Sequence, residues 1–322
     1  MFQLRKRQRP AFTVLAPIVV LVAATGLMAA LAAGTGGAAA HAATMNAGDP
    51  GTTVVGGHAA SEPYPAMASL QTARRGNPDF HFCAASLVSG MYAVTNAHCV
   101  TFLDGTPRPA ASLHVRIGSH NRLDGGVVVG VAAVLPHASW DWATGPNPVA
   151  DIALLKLDGF VQLQPIEVAP RLARRGAVAR ILGWGVTEPS GQAPDIPIML
   201  QELDTRVIAS HRCAGGLISA GEICVDNPHG TDGACYGDSG GPVMQKVTAN
   251  RWQAVGGASR SATDQPFCGV APTIYTSYPY YRTWMYDVMR TGVVPPAAPG
   301  QEPTPPVPGT VNSLQWGIPD PL

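Results

Sequence analysis

The chain has 322 residues, 46% of them hydrophobic and 13% charged, with 21 basic side chains balanced by 21 acidic ones. That apolar content excludes wholesale disorder, and the length suffices for one large domain or two small ones. There is no basic excess to neutralise phosphates, which argues against a chain built to bind nucleic acid.

The first ten residues carry Arg5, Lys6, Arg7 and Arg9, an apolar run follows from Ala11 to about Ala33, and Ala40-His41-Ala42 comes next. A basic start, an apolar stretch and an A-x-A site read as a secretory signal peptide over 1–42, with secretion as its consequence. The competing reading is an uncleaved membrane anchor over residues 11–33, because the run is long enough to span a bilayer. Residues 43–53 are then a propeptide.

Between 54 and 290 the apolar segments are short and punctuated by Gly, Pro, Asn or Asp. They are Ala84–Val88, Met91–Thr95, His114–Gly118, Val127–Leu135, Ile152–Leu157, Val178–Gly183, Met199–Ile208, Pro242–Val247, Trp252–Val255 and Thr273–Tyr278. Many are β-branched, which reads as strands joined by turns. Helical spacing is convincing only over Tyr280–Arg290, where Tyr280, Trp284 and Val288 fall four apart. The residues thus point to an all-β domain of sandwich or barrel type with a C-terminal helix. From Thr291 to Leu322 the chain is Pro-rich and reads as an extended, disordered tail.

Six cysteines, Cys83, Cys99, Cys213, Cys224, Cys235 and Cys268, suit an oxidising compartment and imply disulfides. No C-x-x-C pair occurs among them, which argues against a zinc site, and the spacing alone leaves the pairing open.

Three stretches carry chemistry together: Thr95-Asn96-Ala97-His98-Cys99, then Asp151 at the mouth of an apolar run, then Gly237-Asp238-Ser239-Gly240-Gly241-Pro242. Singly, each has a structural explanation as a buried histidine, a turn aspartate or a tight turn. Jointly they supply what a serine nucleophile needs: a base, a carboxylate to orient it, and glycine-flanked N–H groups for an oxyanion. The last stretch also satisfies G-x-S-x-G of the α/β-hydrolases, whose order is Ser, then acid, then His. The last histidine here is His229, so no base follows Ser239, whereas the order His98, Asp151, Ser239 is that of chymotrypsin-type proteases.

On these motifs, residues 54 to about 290 resemble a trypsin/chymotrypsin-type serine protease. The resemblance implies a fold of two six-stranded antiparallel β-barrels, with His98 as general base, Asp151 orienting it and Ser239 as nucleophile. It implies an oxyanion hole at the N–H groups of Gly237 and Ser239, and disulfides Cys83–Cys99, Cys213–Cys224 and Cys235–Cys268. Ile181-Leu182-Gly183-Trp184-Gly185 resembles the segment between the barrels, and Val54-Val55-Gly56-Gly57 the mature N-terminus. A cut after Thr53 would free an ammonium on Val54 to pair with Asp238, making the chain a zymogen. One departure is Asn96, where the family usually has a small apolar residue; it is expected to matter little.

The substrate pocket implied by the same resemblance uses Gly233, Ser259, Ser261 and Thr273. Trypsin's pocket aspartate lies six residues before the nucleophile, where this chain has Gly233, with Asp232 one residue too early. Ser259 matches the serine behind the triad, and Ser261 and Thr273 replace two wall glycines. The expectation is a preference for small or medium apolar side chains at P1. Gly118-Ser119-His120-Asn121-Arg122 lacks the leading acid of the family's calcium loop, so no metal and no cofactor is expected. The partners expected are polypeptide substrates, with an activating protease or a protein inhibitor, and a monomer is expected. The alternative is an inactive homologue acting as a binding module, which should have lost a triad member; none is lost.

Overall fold

The computed structural model describes residues 54–141, 150–190, 196–248 and 251–297. The leader over 1–42, the propeptide and the tail beyond residue 297 lie outside the described residues. Among the described residues no helix is long and apolar enough to cross a membrane.

In chain order the strands are β1 (His58–Ala59), β2 (Met67–Arg74), β3 (Asn77–Ser89), β4 (Tyr92–Thr95), β5 (Leu113–Ile117), β6 (Val127–Pro136), β7 (Ala153–Leu157), β8 (Glu167–Val168), β9 (Val178–Gly183), β10 (Gln201–Ile208), β11 (Glu222–Val225), β12 (Pro242–Thr248), β13 (Arg251–Ser261) and β14 (Thr273–Ser277). Helix α1 (Ala97–Val100) is a single turn, and α2 (Tyr278–Thr291) follows β14 directly. Strands β2-β3-β4-β7-β6-β5 close one antiparallel barrel, and β9-β10-β11-β14-β13-β12 close a second through the β9–β10 and β12–β9 pairs. The short β1 pairs with β10, and β8 runs parallel to β13. The two six-stranded barrels and the C-terminal helix are those the resemblance implies.

Closing a six-stranded sheet removes its edges and encloses an interior that side chains fill. Leu70, Leu87, Val115, Ile117, Leu155 and Leu157 fill the first barrel, and Ile181, Val207, Val225, Val243, Val255 and Tyr275 the second. Two further clusters join the barrels. Met67 and Ala84 of the first pack with Leu182 and Met244 of the second, while Val94 and Leu154 pack with Ala254 and, from α2, Tyr278 and Trp284.

Three strand expectations need correction. No apolar run marks β2, because Ser69 and Gln71, buried and polar, alternate with Ala68 and Leu70, which face the barrel core. The four-residue β11 is likewise unmarked, opening on the charged Glu222. Strand β13 does not stop at Val255 but continues through Gly256 and Gly257 to Ser261. A Cβ at Gly257 would crowd Asn96 Oδ1 and the Tyr278 hydroxyl, so the glycine is a close-packing position rather than a turn.

Candidate active site

His98 lies in α1, immediately after β4, and the Cys83–Cys99 disulfide ties that turn to β3. Asp151 precedes β7 at a tight reversal, where the Ile152 N–H donates to the Ala150 carbonyl at 2.7 Å. Ala150 takes a left-handed φ of 56°, a conformation a non-glycine residue adopts only when its surroundings impose it. Strands β4 and β7 are register partners, Thr95 opposite Ala153, so pairing in the first barrel brings the two side chains together.

The Asp151 carboxylate is fully enclosed and fully used. Its Oδ1 accepts the His98 backbone N–H at 2.9 Å. Its Oδ2 accepts the His98 Nδ1–H at 2.7 Å, the Ser259 hydroxyl at 2.6 Å and the Asn96 amide at 2.9 Å. Burial pushes this carboxyl up, but the His98 charge and the hydrogen bonds from His98, Asn96 and Ser259 outweigh it and hold it below the ordinary aspartate range. Ser259 reaches Asp151 through a bulge between Ala258 and Arg260. The bulge lets two consecutive side chains both point inward.

Ser239 sits just before β12 in the second barrel. Its carbonyl accepts the Ala84 N–H at 2.7 Å, which anchors the Ser239 loop on β3 of the first barrel. Gly240 has φ 77°, and a Cβ there would collide with Thr95 Oγ1 and the Ala84 carbonyl. Gly240 therefore answers to close packing against β3 and against β4, the strand that leads into α1 and His98. The Ser239 hydroxyl is buried and makes no hydrogen bond; one rotatable hydroxyl can re-aim, and catalytic contacts commonly tighten only with substrate bound. Neither the Gly237 nor the Ser239 N–H donates to an acceptor among the described residues.

Asp238, next to Ser239, is the second buried carboxylate of this site. It accepts the Gly185 N–H at 2.8 Å and the Cys235 N–H at 2.9 Å. Gly183 and Gly185 make room for it, since a Cβ on either would overlap the carboxylate. Burial pushes this carboxyl up to about 7, against the lowering effect of the two N–H donors. Val54 is fully buried in the core of the second barrel, and Val55 bridges Gly233, whose N–H donates to the Val55 carbonyl at 2.9 Å.

Ser261 and Thr273 are direct register partners in the β13–β14 pair, both buried. A Cβ on Gly233 would lie 3.8 Å from Thr273 Oγ1, so those two positions face one another. The Asp232 carboxylate binds His229 Nδ1 and the Thr231 hydroxyl and packs over Gly56. The three disulfides pair as Cys83–Cys99, Cys213–Cys224 and Cys235–Cys268. Among the described residues the tight His/Cys cluster is Cys83, Cys99 and His98, whose two sulfurs are bonded to each other and offer no thiolate.

Three polar features escaped the sequence. Gln71 donates to Ser69 at 3.0 Å, Ser69 donates to His81 Nδ1 at 2.8 Å, and His81 Nε2 donates to the Gly237 carbonyl at 3.0 Å. Because a carbonyl can only accept, the neutral His81 ring is oriented by this chain, and burial pushes its pKa down to about 3. His81 and Gly237 lie 156 residues apart, so no local motif could reveal the link. Arg260, beside Ser259, is fully buried and paired with Glu222 and the Gly216 carbonyl. Asn96, expected to matter little, instead donates to the Asp151 carboxylate. A weak signal was present, since Asn96 is a polar residue in the short stretch between β4 and the histidine.

The trypsin family model matches residues 54–285. Trypsin epsilon of Drosophila erecta is 29% identical over 248 residues, spanning 74% of this chain and 88% of its own. Granzyme M of Homo sapiens is 29% identical over 251 residues, spanning 74% of this chain and 90% of its own. The solved structure of neuropsin, a serine protease expressed in the limbic system of mouse brain, superposes with a TM-score of 0.61 at 25% identity, covering 73% of this chain and 100% of that one.

Proposed function

Because the chain belongs to the trypsin family and is a serine endopeptidase acting on polypeptides, we propose that His98, Asp151 and Ser239 are its triad and that cleavage before Val54 activates it. Ser239 attacks the scissile carbonyl as His98 takes its proton, and His98 then protonates the leaving amine. Asp151 keeps the proton on His98 Nδ1, leaving Nε2 to act as base. The Gly237 and Ser239 N–H groups receive the oxyanion, with His81 holding the carbonyl of the same Gly237, which belongs to the next peptide unit. The observation that carries this reading is the Asp151 carboxylate gripping His98 at both its backbone N–H and its Nδ1.

Activation rests on Asp238. Its carboxylate is buried with two N–H donors and no cationic side chain among the described residues. An α-ammonium on Val54, ordinarily titrating at about 7.7–8.0, would supply that charge, and a buried charge is tolerable when paired. A signal peptide over 1–42, a propeptide over 43–53, the protease domain over 54–290 and secretion complete the proposal. Thr53 at the cut points to an activator other than a Lys/Arg-specific protease, or to the enzyme itself.

For specificity, Gly233 in place of an acid, with Thr273 facing it and Asp232 engaged by His229 and Thr231, supports an uncharged, shallow pocket. Small or medium apolar P1 residues fit it, and a peptide-library profile dominated by Arg would overturn that preference. The triad is tested by organophosphonate labelling of the chain beginning at Val54: label appears on Ser239 and is abolished in Ser239→Ala. Undiminished labelling of that variant would refute the assignment.

A further inference from the structure

Asn96 stands at the N-cap of α1, a position at which asparagine usually accepts an N–H of the first turn. It makes no such cap. Its amide turns away from the helix and donates to Asp151 Oδ2 at 2.9 Å and to Thr276 Oγ1 at 3.3 Å. Thr276 in turn donates to the Asp151 carbonyl at 2.9 Å. The amide orientation is set by chemistry, since the flipped form would press Oδ1 against a carboxylate. Gly257 keeps the space behind the amide open, and Asn96 itself is fully buried.

Three donors therefore converge on Asp151 Oδ2, although one carboxylate oxygen has about two lone-pair directions to offer. The Asn96 and His98 donors compete for the same charge. We propose that Asn96 is a positioning residue of the triad, which shares Asp151 Oδ2 with His98 and thereby weakens the hold of the carboxylate on the imidazolium proton. The base then stays unprotonated, and the enzyme active, at lower pH than a two-donor carboxylate would allow.

The other titratable or charged groups near Asp151 cannot mimic this effect. Tyr278 and Tyr281 of α2 are held protonated by burial. Arg260 of β13, whose Nη1 lies 3.4 Å from Ser259 Oγ, is charge-paired with Glu222.

This inference rests on the triad assignment, and two readouts separate them. In the Val54-started chain, Asn96→Ala is expected to move the acidic limb of the kcat/KM profile upward by on the order of half a pH unit, with a smaller than tenfold change in the plateau. Proton NMR of the His98 ring should show the same upward shift, and it reads the imidazole whether or not peptide bonds are cut. Asn96→Leu, similar in volume but without a donor, should shift both in the same direction. A limb and ring titration unchanged in a folded Asn96→Ala chain would overturn the proposal, as would a shift confined to Asn96→Ala, which would trace to water entering the space left by the amide. Failure of Ser239 to label in the parent chain would sink the triad assignment, while the NMR comparison would still decide the role of Asn96.

Discussion

Among the described residues two aspartates are fully enclosed, Asp151 and Asp238, and their surroundings treat them in opposite ways. Asp151 collects three side-chain donors and one backbone donor, and these hold its carboxyl below the ordinary range despite burial. Asp238 has two backbone donors only, and burial lifts it to about 7. A buried carboxylate stays charged only where polar partners replace the lost water. The chain completes the first site from its own side chains as it folds. The second has no cationic partner among the described residues, and the proposed cut before Val54 would create one.

The most severe way to break the finished site is Asp151→Asn. It keeps the shape but reverses a donor against His98 Nδ1, so turnover of the Val54-started chain should fall by roughly 10⁴-fold. A steady-state assay with a near-normal rate would remove Asp151 from the mechanism.

The unfinished site can be read through pH. In the uncut chain the folded Asp238 keeps a proton that the unfolded chain releases around 3.8, because its folded pKa is raised to about 7. The folded state thus binds more protons within that window, so stability is highest below it and is lost as pH rises through about 7. The loss should approach roughly 4 kcal/mol in the uncut Ser239→Ala chain and be absent from the Val54-started chain. Denaturant melts of both forms at several pH values check this, and parallel curves would contradict it.

Smaller changes sharpen the contrast. A methyl at Gly183 would overlap Asp238 Oδ1, so Gly183→Ala should cost about 1–3 kcal/mol in thermal melts and depress activity even after cleavage. Ser259→Ala removes one donor from Asp151 while leaving the others, and should lower kcat/KM by about tenfold, with an acidic limb moved upward as for Asn96→Ala.

The sequence by itself determined the local matters. Strand-length apolar runs with turn residues between them specified β structure, because side-chain alternation and turn chemistry act over a few neighbours. The motifs around His98, Asp151 and Ser239, with their order, identified the reaction class, because those residue types are needed whatever the fold. Strand β2 and the far half of β13 were hidden, since Ser69 serves His81, Gln71 the Arg122 carbonyl, and Gly257 the space beside Asn96 and Tyr278, rather than the local pattern. Only the tertiary structure decided that Asn96 turns from its helix to the Asp151 carboxylate, that His81 holds Gly237, and that Asp238 is enclosed without a cation among the described residues. Each of these depends on which polar groups lose water together, and packing of the two barrels against each other settles that.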